Sequence, residues 1–221
     1  MLFEKYWSTK NKNILQEMEE VSIGDAHYYI NASIPYIQCG DLEKATALLK
    51  LCPKPDEMLY YYLAYCSDDK YIELGEKEDF HGFTNRLFDI LVLEKIIQMA
   101  DAPKANYLLG NIFYDRGRYD NAAKLWEKAC SLKPEFPTTY RNLALYYYNK
   151  KSDGNKAKEY LENAFNKNKS ESRIFFELDQ LYKIMNIDVD TRLGVMEENI
   201  QLVDKRDDLY TEYITLLNST G

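Results

Sequence analysis

Acidic and sulfur side chains are the residues of this sequence whose types and spacing could support chemistry. Asp188 and Asp190 are two residues apart, a spacing at which paired carboxylates can share a proton or bind a cation. They stand at the turn predicted between two helices, however, where an aspartate usually caps the following helix. We therefore expect Asp188 and Asp190 to cap a helix. The cysteines are isolated in the sequence, at Cys39, Cys52, Cys66 and Cys130. Because the sequence has no Cys-x-x-Cys pair of the kind that forms zinc sites, we expect the cysteines to be buried, reduced thiols.

Motifs of other enzyme classes are missing from the sequence. It has no glycine-rich phosphate loop, no dinucleotide fingerprint and no serine or cysteine nucleophile motif. Its two histidines are His27 and His81, and for His81 we expect a packed or surface role. The sequence therefore predicts no catalytic residue, no cofactor and no metal, and we expect a protein that is not an enzyme.

The charge balance limits the classes of partner. With 28 basic and 36 acidic side chains among 221 residues, the net charge is −8. Nucleic acids and anionic membranes both require a basic face, so we expect neither as a partner. No apolar run approaches the ~18 residues of a membrane span, and the first residues do not resemble a signal peptide. These features predict a cytoplasmic protein.

The elements that position these residues are predicted to be helices. Glycine and proline number only 9 and 6, and apolar residues recur at the i, i+3, i+4 spacing of amphipathic helices. The sequence also repeats itself at intervals of 34 to 35 residues. Leu109, Gly110 and Phe113 are matched by Leu143, Ala144 and Tyr147, and Ala122, Trp126 and Ala129 by Ala157, Leu161 and Ala164. Small residues let two helices approach closely, and Trp126 is predicted to fill the space beside them.

This pattern resembles the tetratricopeptide repeat (TPR). The segment 103–136 carries Leu109-Gly110-x-x-Phe113, then Ala122 and Trp126. Gly117 is predicted to end its first helix, Asp120 to cap the second helix and Pro134 to end it. The resemblance implies an all-α, TPR-like superhelical solenoid of antiparallel helix pairs. The array is expected over 103–221, with units at 103–136, 137–171 and 172–205 and a partial unit at 207–221. The unit 172–205 is weaker, because Asp179 and Arg192 stand where small residues are expected.

Residues 1–102 are predicted to be an irregular TPR-like helical region. Segment 67–82 is polar and is expected to be a loop or connector, and Thr84 or Asn85 is expected to cap the helix that follows. The tract from Phe83 to Asp115 resembles the TPR region of large bacterial proteins that carry a β-rich, carbohydrate-enzyme-like domain upstream. That resemblance implies that the chain is a fragment of a larger bacterial protein.

The resemblance also implies a binding surface, because the first helices of TPR units line a groove. The predicted groove residues are Tyr107, Asn111, Tyr114, Arg141, Asn142, Tyr148 and Arg173, and Lys104 occupies a groove position as well. One TPR subclass holds a peptide carboxylate with basic and asparagine side chains, and three of its five positions match, at Asn111, Asn142 and Arg173. Tyr107 and Glu177 depart from the pattern, and Glu177 is expected to repel a carboxylate.

Three hypotheses of function remain open from the sequence. The favoured one is a non-catalytic scaffold that docks a protein, a peptide or a neighbouring domain. The second is a helical accessory region of a carbohydrate-active enzyme whose catalytic domain is absent here, and the third is a free-standing peptide-binding adaptor. A homodimer through exposed ends of the solenoid is a further possibility.

Overall fold

The computed structural model describes residues 2–80, 84–132 and 136–220. These residues form fifteen α-helices and no β-strand, which confirms the all-α fold class. The helices are α1 (Leu2–Thr9), α2 (Lys12–Ser22), α3 (Ala26–Gln38), α4 (Leu42–Leu49), α5 (Glu57–Cys66), α6 (Lys70–Lys77), α7 (Leu87–Met99), α8 (Pro103–Asp115), α9 (Tyr119–Ser131), α10 (Thr138–Lys151), α11 (Gly154–Lys167), α12 (Ser172–Ile184), α13 (Val189–Glu198), α14 (Ile200–Val203) and α15 (Asp207–Thr220).

The helices group into two compact units, unit 1 (Met1–Arg116) and unit 2 (Gly117–Gly221). In unit 1 the consecutive helices α1 and α2, α3 and α4, α5 and α6, and α7 and α8 pack as pairs, as in TPR-like folds. In unit 2 α10 packs on α9 and α11, and α11 packs on α12. The predicted repeat 103–136 contributes its first helix to unit 1 and its second helix to unit 2. The predicted boundary between residues 102 and 103 stays a prediction.

Helix α5 is the core of unit 1 and packs against α3, α4, α6 and α7. Consecutive helical side chains point about 100° apart, so the neighbouring tyrosines of α5 reach different helices. Tyr61 donates its hydroxyl hydrogen to Glu76 at 2.7 Å, and Tyr62 donates to Asp89 of α7 at 2.8 Å. Both rings are fully buried. Burial of the rings is therefore combined with hydrogen bonds that satisfy the hydroxyl groups.

The expectation of a loop over 67–82 is wrong for its centre, because residues 70–77 form α6. Ile72 and Gly75 face the core three residues apart, and the bare Cα of Gly75 lets the helix lie against the Tyr61 ring. Glu76 of the same helix accepts hydrogen bonds from the backbone N–H groups of Lys104 and Ala105, so it caps α8. Only one turn of apolar pattern marks α6 in the sequence.

Two predicted helix caps are also wrong. The helix after the connector begins at Leu87 with Arg86 as its N-cap, rather than Thr84 or Asn85, and Asp89 accepts the Arg86 N–H at 3.0 Å. Asp120 lies in the first turn of α9 and accepts a hydrogen bond from Tyr146 instead of capping the helix. The capping role of Asp188 is confirmed, since it accepts the Thr191 N–H at 2.8 Å.

In unit 2 alanines form the contacts between consecutive helices. Ala144 of α10 and Ala157 and Ala164 of α11 are buried, and α11 packs on both α10 and α12. The predicted burial of Trp126 is confirmed at 2% exposure. Only two residues separate α10 from α11, so the two helices run antiparallel. Pro134, predicted to end α9, lies outside the described residues.

The third repeat replaces two small residues by an ion pair. Asp179 lies 35 residues after Ala144, and Arg192 lies 35 residues after Ala157. Arg192 Nε and Nη2 donate to the two Asp179 oxygens at 2.9 and 2.8 Å, and Nη2 also donates to Glu212 of α15 at 2.7 Å. Burial raises the pKa of the Asp179 carboxyl, and the hydrogen bonds from Arg192 oppose that rise. The two departures from the repeat pattern therefore compensate each other across α12 and α13.

A tyrosine–glutamate hydrogen bond recurs at the repeat interval. Tyr147 of α10 donates to Glu127 of α9, and Tyr182 of α12 donates to Glu162 of α11 at 2.8 Å. Burial, followed by the neighbouring carboxylate, raises the pKa of both phenols above the ordinary value of 10.0. Each bond joins a first helix to the second helix that precedes it.

We expect Gly75→Ala to destabilise the protein. A Cβ at this position would lie 2.8 Å from Tyr61 Cε1 and 3.1 Å from the Glu57 carbonyl oxygen. The resulting strain should cost ~1–3 kcal/mol. The matched control is Gly194→Ala in α13. Among the described residues, no atom outside the adjoining residues and the nearby backbone of α13 lies within 4 Å of the added Cβ. This change should stabilise the helix by about 0.5–1 kcal/mol. Urea denaturation measures both, and equal shifts for the two variants would contradict the close packing of α6 on α5.

We expect stability to fall at alkaline pH through the tyrosine–carboxylate bonds. The pKa values of Tyr147 and Tyr182 in the folded protein lie above the ordinary value of 10.0. The stability that these two groups contribute is therefore fully present below pH 10 and is lost as the pH rises from there through their folded pKa values. Tyr182→Phe should reduce this loss, whereas Tyr148→Phe, which changes an exposed residue, should not. Urea midpoints measured from pH 8 to 11 provide the test. An identical pH dependence for wild type and Tyr182→Phe would be inconsistent with this role.

Candidate functional site

The exposed side of α10 and α12 in unit 2 carries predicted groove residues, and we call it the first-helix surface. Buried residues such as Leu143 and Tyr147 on α10, and Leu178 on α12, turn the opposite sides of these helices into the core. Arg141, Leu145 and Tyr148 on α10 are three or four residues apart and so share one side. On α12 Glu177, Gln180 and Ile184 have the same spacing, and Phe176 lies four residues before Gln180.

Arg141 and Arg173 meet at Glu177. Arg141 Nε and Nη2 donate to the Glu177 oxygens at 2.6 and 2.5 Å, and Arg173 Nε donates to Glu177 Oε1 at 3.3 Å. The Arg141 and Glu177 side chains are about four-fifths buried, whereas Arg173 is largely exposed. Two cations around one carboxylate leave a local charge of +1. The expected repulsion of a partner carboxylate by Glu177 is therefore offset by its own arginine neighbours.

An apolar cavity of about 190 Å³ lies beside this cluster. Leu145 and Tyr148 of α10 form one wall, and Phe176, Leu181 and Ile184 of α12 form the other. Tyr148 is 37% exposed and Ile184 58% exposed. The Arg206 guanidinium lies 5.4 Å from the centre of the Phe176 ring, and its hydrogen bond with Asp208 raises the pKa of Arg206. The surface thus combines exposed apolar groups with arginine side chains.

In unit 1 the groove positions of α8 are partly covered by the chain itself. Lys104 is buried rather than lining a groove, and its ammonium donates to the carbonyl oxygens of Gly75 and Glu78. The Phe80 ring meets the Tyr107 ring edge-on at 5.3 Å between centroids. Segment 70–80 packs against α8 because residues 70–77 form α6, whereas a loop was expected for this segment. Asn111 and Tyr114 are half-buried on α8.

The structure brings Arg141 and Arg173 together through Glu177 and places Tyr148 at the cavity, while Asn142 is half-buried on α10. Ile184 was missed by the sequence reasoning, although an isoleucine at the end of an amphipathic helix is a signal that could have found it. The assignment of the seven predicted groove residues to a partner contact stays a prediction.

Cysteine, histidine and acidic side chains are the other groups that could support chemistry. Burial raises the pKa of the Cys66 thiol to about 11 and that of Cys130 to about 12, which leaves both thiols protonated at neutral pH. Cys39 is exposed, contrary to the expectation of buried thiols. Among residues 2–80, 84–132 and 136–220, no three His, Cys, Asp or Glu side chains are grouped as metal ligands. His81 lies outside the described residues. No helix in the described ranges has the length and apolar character that crossing a membrane requires.

Comparison with known families agrees with the repeat pattern over part of the chain. Residues 101–151 match the TPR repeat family model. This stretch contains α8, α9 and α10, the helices with the most regular repeat pattern. The TPR resemblance is thereby confirmed for these residues, while the proposed upstream carbohydrate-enzyme-like domain stays a prediction.

The chain is also similar to solved structures of MamA. A crystal structure of MamA protein is 16% identical with a TM-score of 0.47, and the alignment covers 81% of this chain and 92% of that one. A MamA RS-1 ArsTM double mutant is 18% identical with a TM-score of 0.46, covering 82% and 96%. MamA 41-end from Desulfovibrio magneticus RS-1 is 18% identical with a TM-score of 0.45, covering 82% and 97%.

Proposed function

We propose that this chain is a non-catalytic docking scaffold that holds a segment of a partner protein, or of a neighbouring domain, on its first-helix surface. The observation that carries the proposal is the apolar cavity between Tyr148 and Ile184 beside the Arg141–Glu177–Arg173 cluster. The TPR match over 101–151 supports the same class of function, since α10 belongs to the matched stretch.

The chemistry of the surface fits a folded or extended polypeptide. Tyr148, Phe176 and Ile184 offer apolar area that gains about 25 cal/mol for each Å² removed from water. Tyrosine and arginine are also the residue types that supply most binding energy at protein interfaces. Arg173 keeps guanidinium hydrogens beyond its single bond to Glu177, so it can pair with an acidic or carbonyl group of the partner.

The finer hypotheses remain predictions. The reading frame around the gene tests three of them. These are that the chain is a fragment of a larger bacterial protein, that it is a helical accessory region of a carbohydrate-active enzyme, and that the protein is cytoplasmic. A homodimer through exposed ends of the solenoid also stays a prediction. Tyr107, Asn111, Tyr114 and Asn142 are proposed as further contacts.

We expect Tyr148→Ala and Arg173→Ala each to weaken partner binding at least about tenfold, equivalent to ~1.4 kcal/mol. A peptide ligand is selected by phage display against the full chain, and its dissociation constant is measured by calorimetry. Tyr210→Ala is the matched control, because Tyr210 is exposed on α15 and does not line the cavity. It should leave binding unchanged. The proposal is wrong if every selected peptide binds the Tyr148 and Arg173 variants as tightly as wild type.

A further inference from the structure

A second pocket of unit 2 lies away from the first-helix surface, between the second helices α11 and α13. Its volume is about 560 Å³. Glu162 and Phe165 of α11, Tyr182 of α12, and Val195 and Glu198 of α13 are among the residues that line it. None of its lining residues also lines the apolar cavity of the first-helix surface. We call this space the second-helix pocket.

The pocket is explained by one substitution between successive repeats. In the second repeat the Tyr160 ring stacks on the Tyr147 ring, with centroids 5.5 Å apart and planes only 7° from parallel. Tyr182 is the counterpart of Tyr147 and Val195 is the counterpart of Tyr160, each 35 residues later. Valine is too small to cover the neighbouring ring. The second-helix pocket therefore corresponds to the space that a tyrosine ring fills one repeat earlier.

The side chains around the pocket favour a cation. Glu162 and Glu198 line it together with one cation, Lys169, which gives a net charge of −1. Glu162 accepts the Tyr182 hydroxyl hydrogen through one oxygen, Oε1. Glu198 is exposed at the end of α13. The whole chain, at −8, attracts cationic partners in the same sense.

Shape and charge together select one kind of cationic group. A planar group can stack on Tyr182 as Tyr160 stacks on Tyr147, and the two carboxylates that line the pocket favour a positively charged group. The arginine guanidinium is planar, permanently charged and able to stack on aromatic rings while it donates two parallel hydrogen bonds to a carboxylate. The lysine ammonium is compact and strongly hydrated, so it meets only the charge requirement.

We propose that the second-helix pocket binds an arginine side chain of a partner protein, with its guanidinium stacked on Tyr182 and paired with Glu198 and Glu162. This site is separate from the first-helix surface and does not depend on the proposed function there. It gives the scaffold a second contact with a defined residue type. The partner segment is therefore expected to be basic.

The test uses three short peptides and the full chain labelled with ¹⁵N. The peptides are acetyl-Gly-Arg-Gly-amide, the same peptide with lysine, and the same peptide with citrulline, which is a neutral isostere of arginine. The arginine peptide should give saturable amide shifts confined to residues of α11 to α14. Citrulline should bind at least about tenfold more weakly, because the paired charge is lost, and lysine at least about fivefold more weakly. Equal affinity for arginine and either replacement would overturn the proposal, as would the absence of saturable shifts.

Variants separate the pocket from general electrostatic attraction. Val195→Tyr restores the ring of the preceding repeat and should abolish binding of the arginine peptide. Glu198→Gln should weaken binding about fivefold or more, whereas Glu197→Gln, an exposed neighbour that does not line the pocket, should change it little. Circular dichroism establishes that Val195→Tyr is folded, and if it is not, the Glu198 and Glu197 pair decides. Unchanged binding by folded Val195→Tyr, or equal losses for the two glutamine variants, would overturn the assignment.

Discussion

The buried ion pair between Asp179 and Arg192 is the interaction on which the last repeat depends. Both side chains are about 95% buried, and Arg192 also bonds to Glu212, which Lys183 pairs with at 2.9 Å. Removal of Arg192 would leave the Asp179 carboxylate buried without its cation, and removal of Asp179 would leave Arg192 with Glu212 as its one remaining carboxylate partner among the described residues. Either loss is more costly than the pair itself. The pair joins α12 to α13, and the bond from Arg192 to Glu212 joins α13 to α15, at positions where the preceding repeat has the buried alanines Ala144 and Ala157.

Each candidate binding surface of unit 2 includes a helix that this pair joins. Phe176, Glu177 and Gln180 of the first-helix surface flank Asp179 on α12, and Val195 lies one turn beyond Arg192 on α13. The same repeat geometry therefore presents two different faces. The first-helix surface combines exposed apolar groups with arginines, and the second-helix pocket is lined by the Tyr182 ring and two glutamates.

The sequence was sufficient to predict the all-α class, the helix pairs of the regular repeats, the turn near Gly117 and the burial of Trp126, because each of these depends on local apolar spacing and small residues. Helix α6 was missed, since its eight residues present one short apolar turn around Gly75. The ion pairs of Asp179 with Arg192 and of Glu177 with Arg141 were not predicted either. Each of Asp179, Arg192 and Glu177 appears as a departure when its position is considered alone, and the compensation lies in a partner 13 or 36 residues distant. The second-helix pocket arises from Val195 in place of a tyrosine, which only the stacked rings of the preceding repeat make visible.

The most direct test of this account is a double-mutant cycle on Asp179 and Arg192, measured by urea denaturation of the full chain. Asp179→Ala alone should cost about 3–5 kcal/mol, because Arg192 is left buried beside only part of its hydrogen-bond partners. Combining it with Arg192→Ala restores the alanine pair of the preceding repeat and should cost less than Asp179→Ala alone. If the two single costs instead add to within about 0.5 kcal/mol in the double variant, the pair does not hold the repeat and the account is contradicted.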